Sequence, residues 1–432
     1  MPGGRRLATA VGLALVVAGC GGASTAPPAP PVPWTSRALP EGRGEVTTRP
    51  DGTRVAVRYR GWTTEDFGAF RTYRADEARP EPPITRASMP AGLKGDPKEG
   101  RKHFLARNLG PCTGCHLVPG DDVWPAGNVG PDLSTIGDRG LPDDYLYMLV
   151  HDARVIYPNT AMPPWGTMGV LKPQQIADLV AFLQTLRGPR PAETNPDRDP
   201  TTRARPVGFG DNLDPTNNPA ILRVEGAEAL WMRRGPAGKS CADCHPGGAP
   251  AAMKGVATRY PKVVAKYGRV MSIEDFLNVH GPETTGATLA SESAENLDLT
   301  MLVKMSSNGQ PVAVDVKSPP ARAAWERGRA LFNRKVGGRN HACADCHSPD
   351  RGAGKFLGGR FLGNAQDGFT KHFPTWRTSL ADVWDMRKRF QWCMTPLGTN
   401  MLAADAPEYA ELELYLTSFD NGKLMSVPGI RH

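Results

Sequence analysis

The sequence predicts a mainly α-helical chain of three small domains in tandem, preceded by an irregular or partly β extension. Two observations predict it. A five-residue motif, Cys-x-x-Cys-His, occurs three times in 432 residues, at 112–116, 241–245 and 343–347. Between the motifs, apolar residues recur at helical spacing, as at Ile176, Leu179, Val180 and Leu183. The length suits about three domains of ordinary size. Glycine (48) and proline (42) are plentiful, so loops should be abundant between the elements.

The N-terminus is read first. Arg5 and Arg6 precede an apolar stretch, Leu7 to Val17, that ends in Val17-Ala18-Gly19-Cys20. This is the pattern of a signal peptide over residues 1–19, and the stretch is too short to span a bilayer. Cys20 stands where bacterial lipoproteins are cleaved and acylated, which predicts a lipid anchor. An ordinary secreted protein with a chance cysteine is the alternative. Either reading puts the mature chain outside the cytoplasm, in the periplasm. Residues 20–33 are Pro-rich and read as a tether. Residues 34–98 form the extension, with strand-like alternation over Arg54–Arg60. The first motif domain follows at 99–187, then a linker at 188–219 rich in Pro, Arg, Asp, Thr and Asn. Two further domains are expected at 220–318 and 319–432. The net charge of +8 gives a basic surface. It comes with no dense Lys/Arg run and no nucleic-acid motif, so nucleic acid is not an expected partner.

Six of the eight cysteines lie in the three motifs. The two thiols of each motif, Cys112 and Cys115, Cys241 and Cys244, Cys343 and Cys346, are placed to add across the vinyl groups of one haem. The next residue, His116, His245 or His347, is then the proximal iron ligand. This composition gives about 0.003 such matches by chance, so three are not accidental. Disulfides or a zinc site require no histidine directly after each pair. The reading is three covalently bound haem c groups in three cytochrome c-like domains. Besides Cys20, this leaves Cys393.

The last two domains read as an internal repeat. Gly226 and Gly328 each precede the first haem cysteine by 15 residues, with an apolar residue (Leu230, Phe332) four positions after each glycine. Both domains contain Cys-Ala-Asp-Cys-His, and Asn308-Gly309 matches Asn421-Gly422. Counting back 28 residues from each asparagine reaches His280 and Cys393, each three positions after a large apolar residue, Leu277 or Phe390. Two soft ligands at equivalent positions suggest that each is the distal ligand of its own haem. The distance from proximal histidine to this residue is 35 positions in one repeat and 46 in the other. In the first domain the expected distal ligand is Met162, in Met162-Pro163-Pro164. Met168 is its main competitor, and Met148 lies in a helical pattern and reads as core. Gly130-Pro131 offers a carbonyl to the His116 ring N–H. His/Met ligation raises the potential and suits an electron exit. On a helix, Arg389 and Cys393 share a face at i, i+4. The guanidinium favours the thiolate and can hold an anionic substrate, with help expected from Arg387 or Lys388.

On these residues the chain resembles the SoxX and SoxA cytochromes of bacterial thiosulfate oxidation, joined in one polypeptide. The monohaem half resembles SoxX through Gly127–Arg139 and Ala161–Gly166. The dihaem half resembles SoxA through Phe373–Arg377 and Arg389–Cys393. Together these cover about residues 95–432. The resemblance implies an L-cysteine S-thiosulfotransferase. Such an enzyme joins thiosulfate to a cysteine of the SoxYZ carrier protein and passes two electrons through its haems to a soluble cytochrome c. It also implies that Cys393 is the active-site haem ligand and that Arg389 lines that site. SoxX and SoxA are usually separate chains, and His280 stands where dihaem relatives often have a cysteine. Two other readings remain at this point. A tetrathionate-forming thiosulfate dehydrogenase also uses a His/Cys haem, but has no need of a SoxX-like half. A non-catalytic trihaem electron-transfer subunit needs no reactive Cys393.

Overall fold

The structure is a computed structural model. It describes residues 82–431 apart from 107–111, 121–122, 124, 189–194, 196, 206–216, 336–338, 395–398 and 401–404. Before residue 82 it describes three short strands, β1 (Val46–Thr48), β2 (Arg54–Ala56) and β3 (Tyr73–Arg74). The signal-peptide stretch, Cys20 and the tether lie outside the described residues. The chain is mostly helical with few strands. No described helix is long and apolar enough to cross a membrane.

The first unit is built on three helices, α1 (Pro97–Leu105), α2 (Asp143–Asp152) and α3 (Pro173–Thr185). Asp96 starts α1 by accepting the Lys98 and Glu99 amides, a cap worth about 1 kcal/mol. Helix α3 buries Ile176, Leu179, Val180 and Leu183 against Phe104, Leu146 and Val150. Helices α1 and α3 cross at Gly100. A β-carbon there would lie 1.9 Å from the Asp178 carbonyl oxygen, so any larger residue would force the helices apart.

The second unit comprises α4 (Val224–Met232), α5 (Cys241–Cys244), α6 (Gly248–Ala252), β4 (Lys262–Val264), β5 (Arg269–Met271), α7 (Ile273–Thr284) and α8 (Ala294–Met305). The third comprises α9 (Pro319–Asn333), α10 (Cys343–His347), β6 (Phe356–Leu357), β7 (Arg360–Phe361), β8 (Thr375–Arg377), β9 (Asp382–Trp384), α11 (Met386–Met394), β10 (Thr399–Asn400), α12 (Pro407–Thr417) and β11 (Gly429–Arg431). The repeat is visible element by element. The motif turns α5 and α10 start 102 positions apart. From the strands onward the offset is 113: β4 answers β8, β5 answers β9, and both α7 to α11 and α8 to α12 keep it at their first residues.

The 11 extra residues fall where the third unit carries the antiparallel hairpin β6–β7, which the second unit lacks in the same interval. This hairpin makes one of the contacts with the first unit. The Asn128 amide donates to Phe356 O at 3.0 Å, and the Gly358 amide donates to Gly114 O at 2.8 Å. The Asn128 side-chain oxygen accepts the Phe356 amide at 2.8 Å. The stretch expected as a linker also joins in. Arg203 donates to Gly358 O at 2.9 Å and lies 4.9 Å over the Phe356 ring.

The second and third units share one apolar core, in which Trp231, Val270, Met301, Ala324, Val383, Leu414 and Val427 are all buried. Beside it lies a buried ionic cluster at the facing N-terminal ends of α7 and α11. Arg387 donates to Asp275 at 2.7 Å and to Ser272 Oγ at 2.8 Å. Lys304 lies between Glu274 (3.4 Å) and Glu413 (3.5 Å). Charges this deep persist only when paired.

Candidate active site

Each motif folds as one helical turn. The His116 amide donates to Cys112 O at 2.8 Å, and the His245 amide to Cys241 O at 2.9 Å. In the third motif the Asp345 carboxylate caps the turn by accepting the Ala342 amide at 2.8 Å. One turn brings two thiols and an imidazole within reach of one macrocycle. The surroundings fit a haem. His116 Nδ1 lies 2.8 Å from Pro131 O, the contact expected from Gly130-Pro131, and His347 Nδ1 lies 2.8 Å from Gly363 O. Each ring is thereby oriented, and its other nitrogen is left for iron. A β-carbon at Gly130 would come within 2.3 Å of the His116 ring. Burial lowers His116 and His245, favouring the neutral imidazole that binds metal. It pushes the Cys112 and Cys343 thiols up to about 12 and also raises Cys115, Cys241 and Cys346, the mark of a low-dielectric cradle.

The expected distal residues fall as follows. His280 faces His245, with ring centres 6.4 Å apart, and Phe276 stacks on His280 at 4.8 Å. Met162 packs half-buried at the edge of the first core, Met168 is buried inside it, and Met148 is buried on α2. Cys393 is half-buried and contacts His347.

Cys393 moves the opposite way from Cys112, Cys115, Cys241, Cys343 and Cys346. Burial would raise its thiol, but Arg389, His347 and Arg360 outweigh burial and bring it from 9.0 down to about 7. Arg389 Nη1 donates to Cys393 Sγ at 3.0 Å, the i, i+4 contact that the helix dictates. The expected helpers do not take part. Arg387 and Lys388 lie on other faces of α11, where Arg387 is fully buried on Asp275 and Lys388 is paired with Asp382. A nine-residue helix cannot turn consecutive side chains toward one sulfur.

Instead the site recruits arginines that sequence reasoning did not single out. Arg360 on β7 and Arg389 stack on Trp392, at 3.8 and 4.8 Å from its ring centre. Arg377 on β8 lies over Trp384 and is lowered to about 10 by burial and by Arg389, Arg431 and Arg360. Strand β11 pairs in parallel with β8, setting Arg431 beside Arg377, and Arg431 donates to His372 Nε2 at 2.7 Å. The repeat held a signal for two of the four. At the 113-position offset, Arg389 answers Phe276 and Arg377 answers Val264. Guanidinium groups thus stand where the sister unit is apolar. Arg360 lies in the insertion and had no counterpart to compare.

The arrangement joins a stabilised thiolate to a concentration of positive charge beside a motif turn. It is suited to hold a small dianion against sulfur. The family described as "SoxA/TsdA, cytochrome c domain" matches residues 226–312. That described as "Cytochrome C oxidase, cbb3-type, subunit III" matches residues 95–183. The chain is 33% identical over 216 residues to "L-cysteine S-thiosulfotransferase subunit SoxA" of Pseudaminobacter salicylatoxidans, covering 50% of this chain and 73% of the relative. It is 30% identical over 222 residues to the protein of the same name from Rhodovulum sulfidophilum, covering 51% and 75%. Among solved structures it is similar to the crystal structure of SoxXA from P. pantotrophus, with 29% identity, TM-score 0.46, and 50% of this chain and 80% of that chain covered.

Proposed function

The chain belongs to the SoxA family of Sox-system cytochromes, and from that premise we propose that it is an L-cysteine S-thiosulfotransferase acting on the SoxYZ carrier. In this reading the chain is exported to the periplasm and anchored there through Cys20. Three haems would be held covalently on Cys112/Cys115, Cys241/Cys244 and Cys343/Cys346, with His116 and Met162, His245 and His280, and His347 and Cys393 as the residues that would ligate their irons. When bound, the haems supply one-electron acceptors.

The residues act in order. Arg389, with Arg360 and Arg377, neutralises thiosulfate and brings its outer sulfur to Cys393. The Cys393 thiolate forms an S–S bond to that sulfur, and two electrons leave. The carrier thiol gives up its proton and attacks the same sulfur. The Cys393 thiolate departs, leaving thiosulfate on the carrier. The two electrons pass one at a time to a soluble cytochrome c through the first unit. Support for that route is the approach of Cys115 to Cys346, close enough for Cys115 to disfavour charge on Cys346.

The single observation that carries the reading is the Arg389–Cys393 contact at 3.0 Å. The test is Cys393→Ala. All three haems should remain attached, and the carrier should no longer gain the mass of thiosulfate. Unchanged transfer would sink the assignment, and tetrathionate as the main product without carrier would replace it with a thiosulfate dehydrogenase.

A further inference from the structure

The loop that presents Met162 is held from outside its own unit. Within the unit, the Met162 amide donates to Thr160 Oγ1 at 3.0 Å. The two carbonyls just before it reach the third unit. His341 Nε2 donates to Ala161 O at 2.6 Å, and Lys335 Nζ donates to Thr160 O at 3.2 Å. His341 is buried and Lys335 nearly so. Lys335 is in turn fixed by Asp345 at 2.6 Å, which also receives Arg351 at 2.6 Å. Asp345 stands between Cys343 and Cys346 in the third motif. A short chain of bonds therefore runs from that motif to the peptide planes preceding Met162.

The sister repeat shows that this is not inherent to the motif. Its equivalent aspartate, Asp243, caps its own turn and holds Arg234, but its side chain remains 35% exposed where that of Asp345 is 0%. The positions equivalent to Lys335 and His341 are Arg233 and Lys239, both exposed. The clamp exists in the unit that faces Met162.

We propose that Lys335 and His341 are positioning residues for Met162, so that ligation of the first unit's haem is completed by the third unit. This rests on reading Met162 as the distal ligand. Thioether sulfur is a weak, neutral ligand, and its hold on iron depends on how well the protein pre-sets the loop that bears it. Pro163 and Pro164 stiffen the loop after Met162, and the clamp secures the two residues before it.

The test uses the full-length holoprotein and the red charge-transfer band of Met-ligated ferric haem. The double variant Lys335→Met/His341→Ala should lose this band at a pH lower than the parent by about one unit. That is an about tenfold weaker ligation, the weight of one to two hydrogen bonds. The midpoint potential of the first haem should fall with it. His341→Gln, which keeps an N–H donor, should recover most of the band. The low-spin signal of the thiolate-ligated haem should stay unchanged in every variant, which shows that the third unit is intact. A parental pH profile and potential in both the double variant and His341→Ala would overturn the proposal. Met162→Ala separates the underlying reading. Loss of the band there supports Met162 as ligand, and its persistence removes both the reading and the clamp.

Discussion

Two arginines two positions apart on α11 show how sharply a helix sorts its side chains. Arg389 touches Cys393, whereas Arg387 is locked under the surface with Asp275 and Ser272. Arg389→Gln should therefore lose activity while keeping the fold. The Cys393 thiol should move back up, and transfer at neutral pH should fall about 30–100-fold, as for a lost charge-assisted bond. The measurement is kcat/KM for thiosulfate, alongside an unchanged thermal midpoint. Arg387→Gln should do the reverse and destabilise by about 3–5 kcal/mol, the cost of stranding a buried partner. Equal effects of the two on KM would contradict this division. At this scale the three Cys-x-x-Cys-His turns and the Arg389–Cys393 contact were legible, because each depends on neighbours within about one helical turn. Arg360, Arg377, Arg431 and the clamp at His341 were not singled out. The partners of Arg360, Arg431 and His341 lie far along the chain, where local spacing carries no record of them, and Arg377 was marked only by the repeat, in which it answers Val264.

At the scale of elements, the repeat explains how one scaffold supports two kinds of site. The 102- and 113-position offsets keep motif turns, strands and helices in register, and the difference between them is concentrated in one hairpin. The inequality of 35 and 46 residues was visible in the sequence, but its meaning was not. Nothing in residues 348–363 states that a hairpin there faces Gly114 and Asn128. Gly127→Ala tests this contact without removing Arg360. A β-carbon at Gly127 would lie 1.9 Å from Gly114 O and 2.6 Å from Phe356 O, so the hairpin must be pushed off the motif turn. Overpacking of this kind costs about 1–3 kcal/mol. Stopped-flow reduction of the first haem after thiosulfate addition should be slower, with the thiolate-ligated haem spectrally unchanged. A parental rate would mean that the hairpin contact does not govern the route.

For the whole molecule, the buried ionic cluster couples stability to pH. Burial and the nearby Glu274 and Asp385 carboxylates raise Glu413 from 4.5 to about 7, against the pull of Lys304 and Arg387. The native state thus holds this proton more tightly than the unfolded chain does. Its contribution is complete below the unfolded value of 4.5 and is lost as pH rises through about 7. Glu413→Gln should narrow the difference between thermal midpoints at about pH 5 and about pH 8. An unchanged difference would show that Glu413 is not the group responsible.

The seating of residues 197–205 along the hairpin has a consequence for assembly. When two cytochromes meet as separate chains, the population of the working pair depends on protein concentration, and weak contacts are lost on dilution. Here the encounter is intramolecular, at an effective concentration set by the covalent connection and largely independent of how much protein is present. A modest set of hydrogen bonds around Asn128, Gly358 and Arg203 is then sufficient, and on the proposed route electron donor and electron exit are present one to one in every molecule.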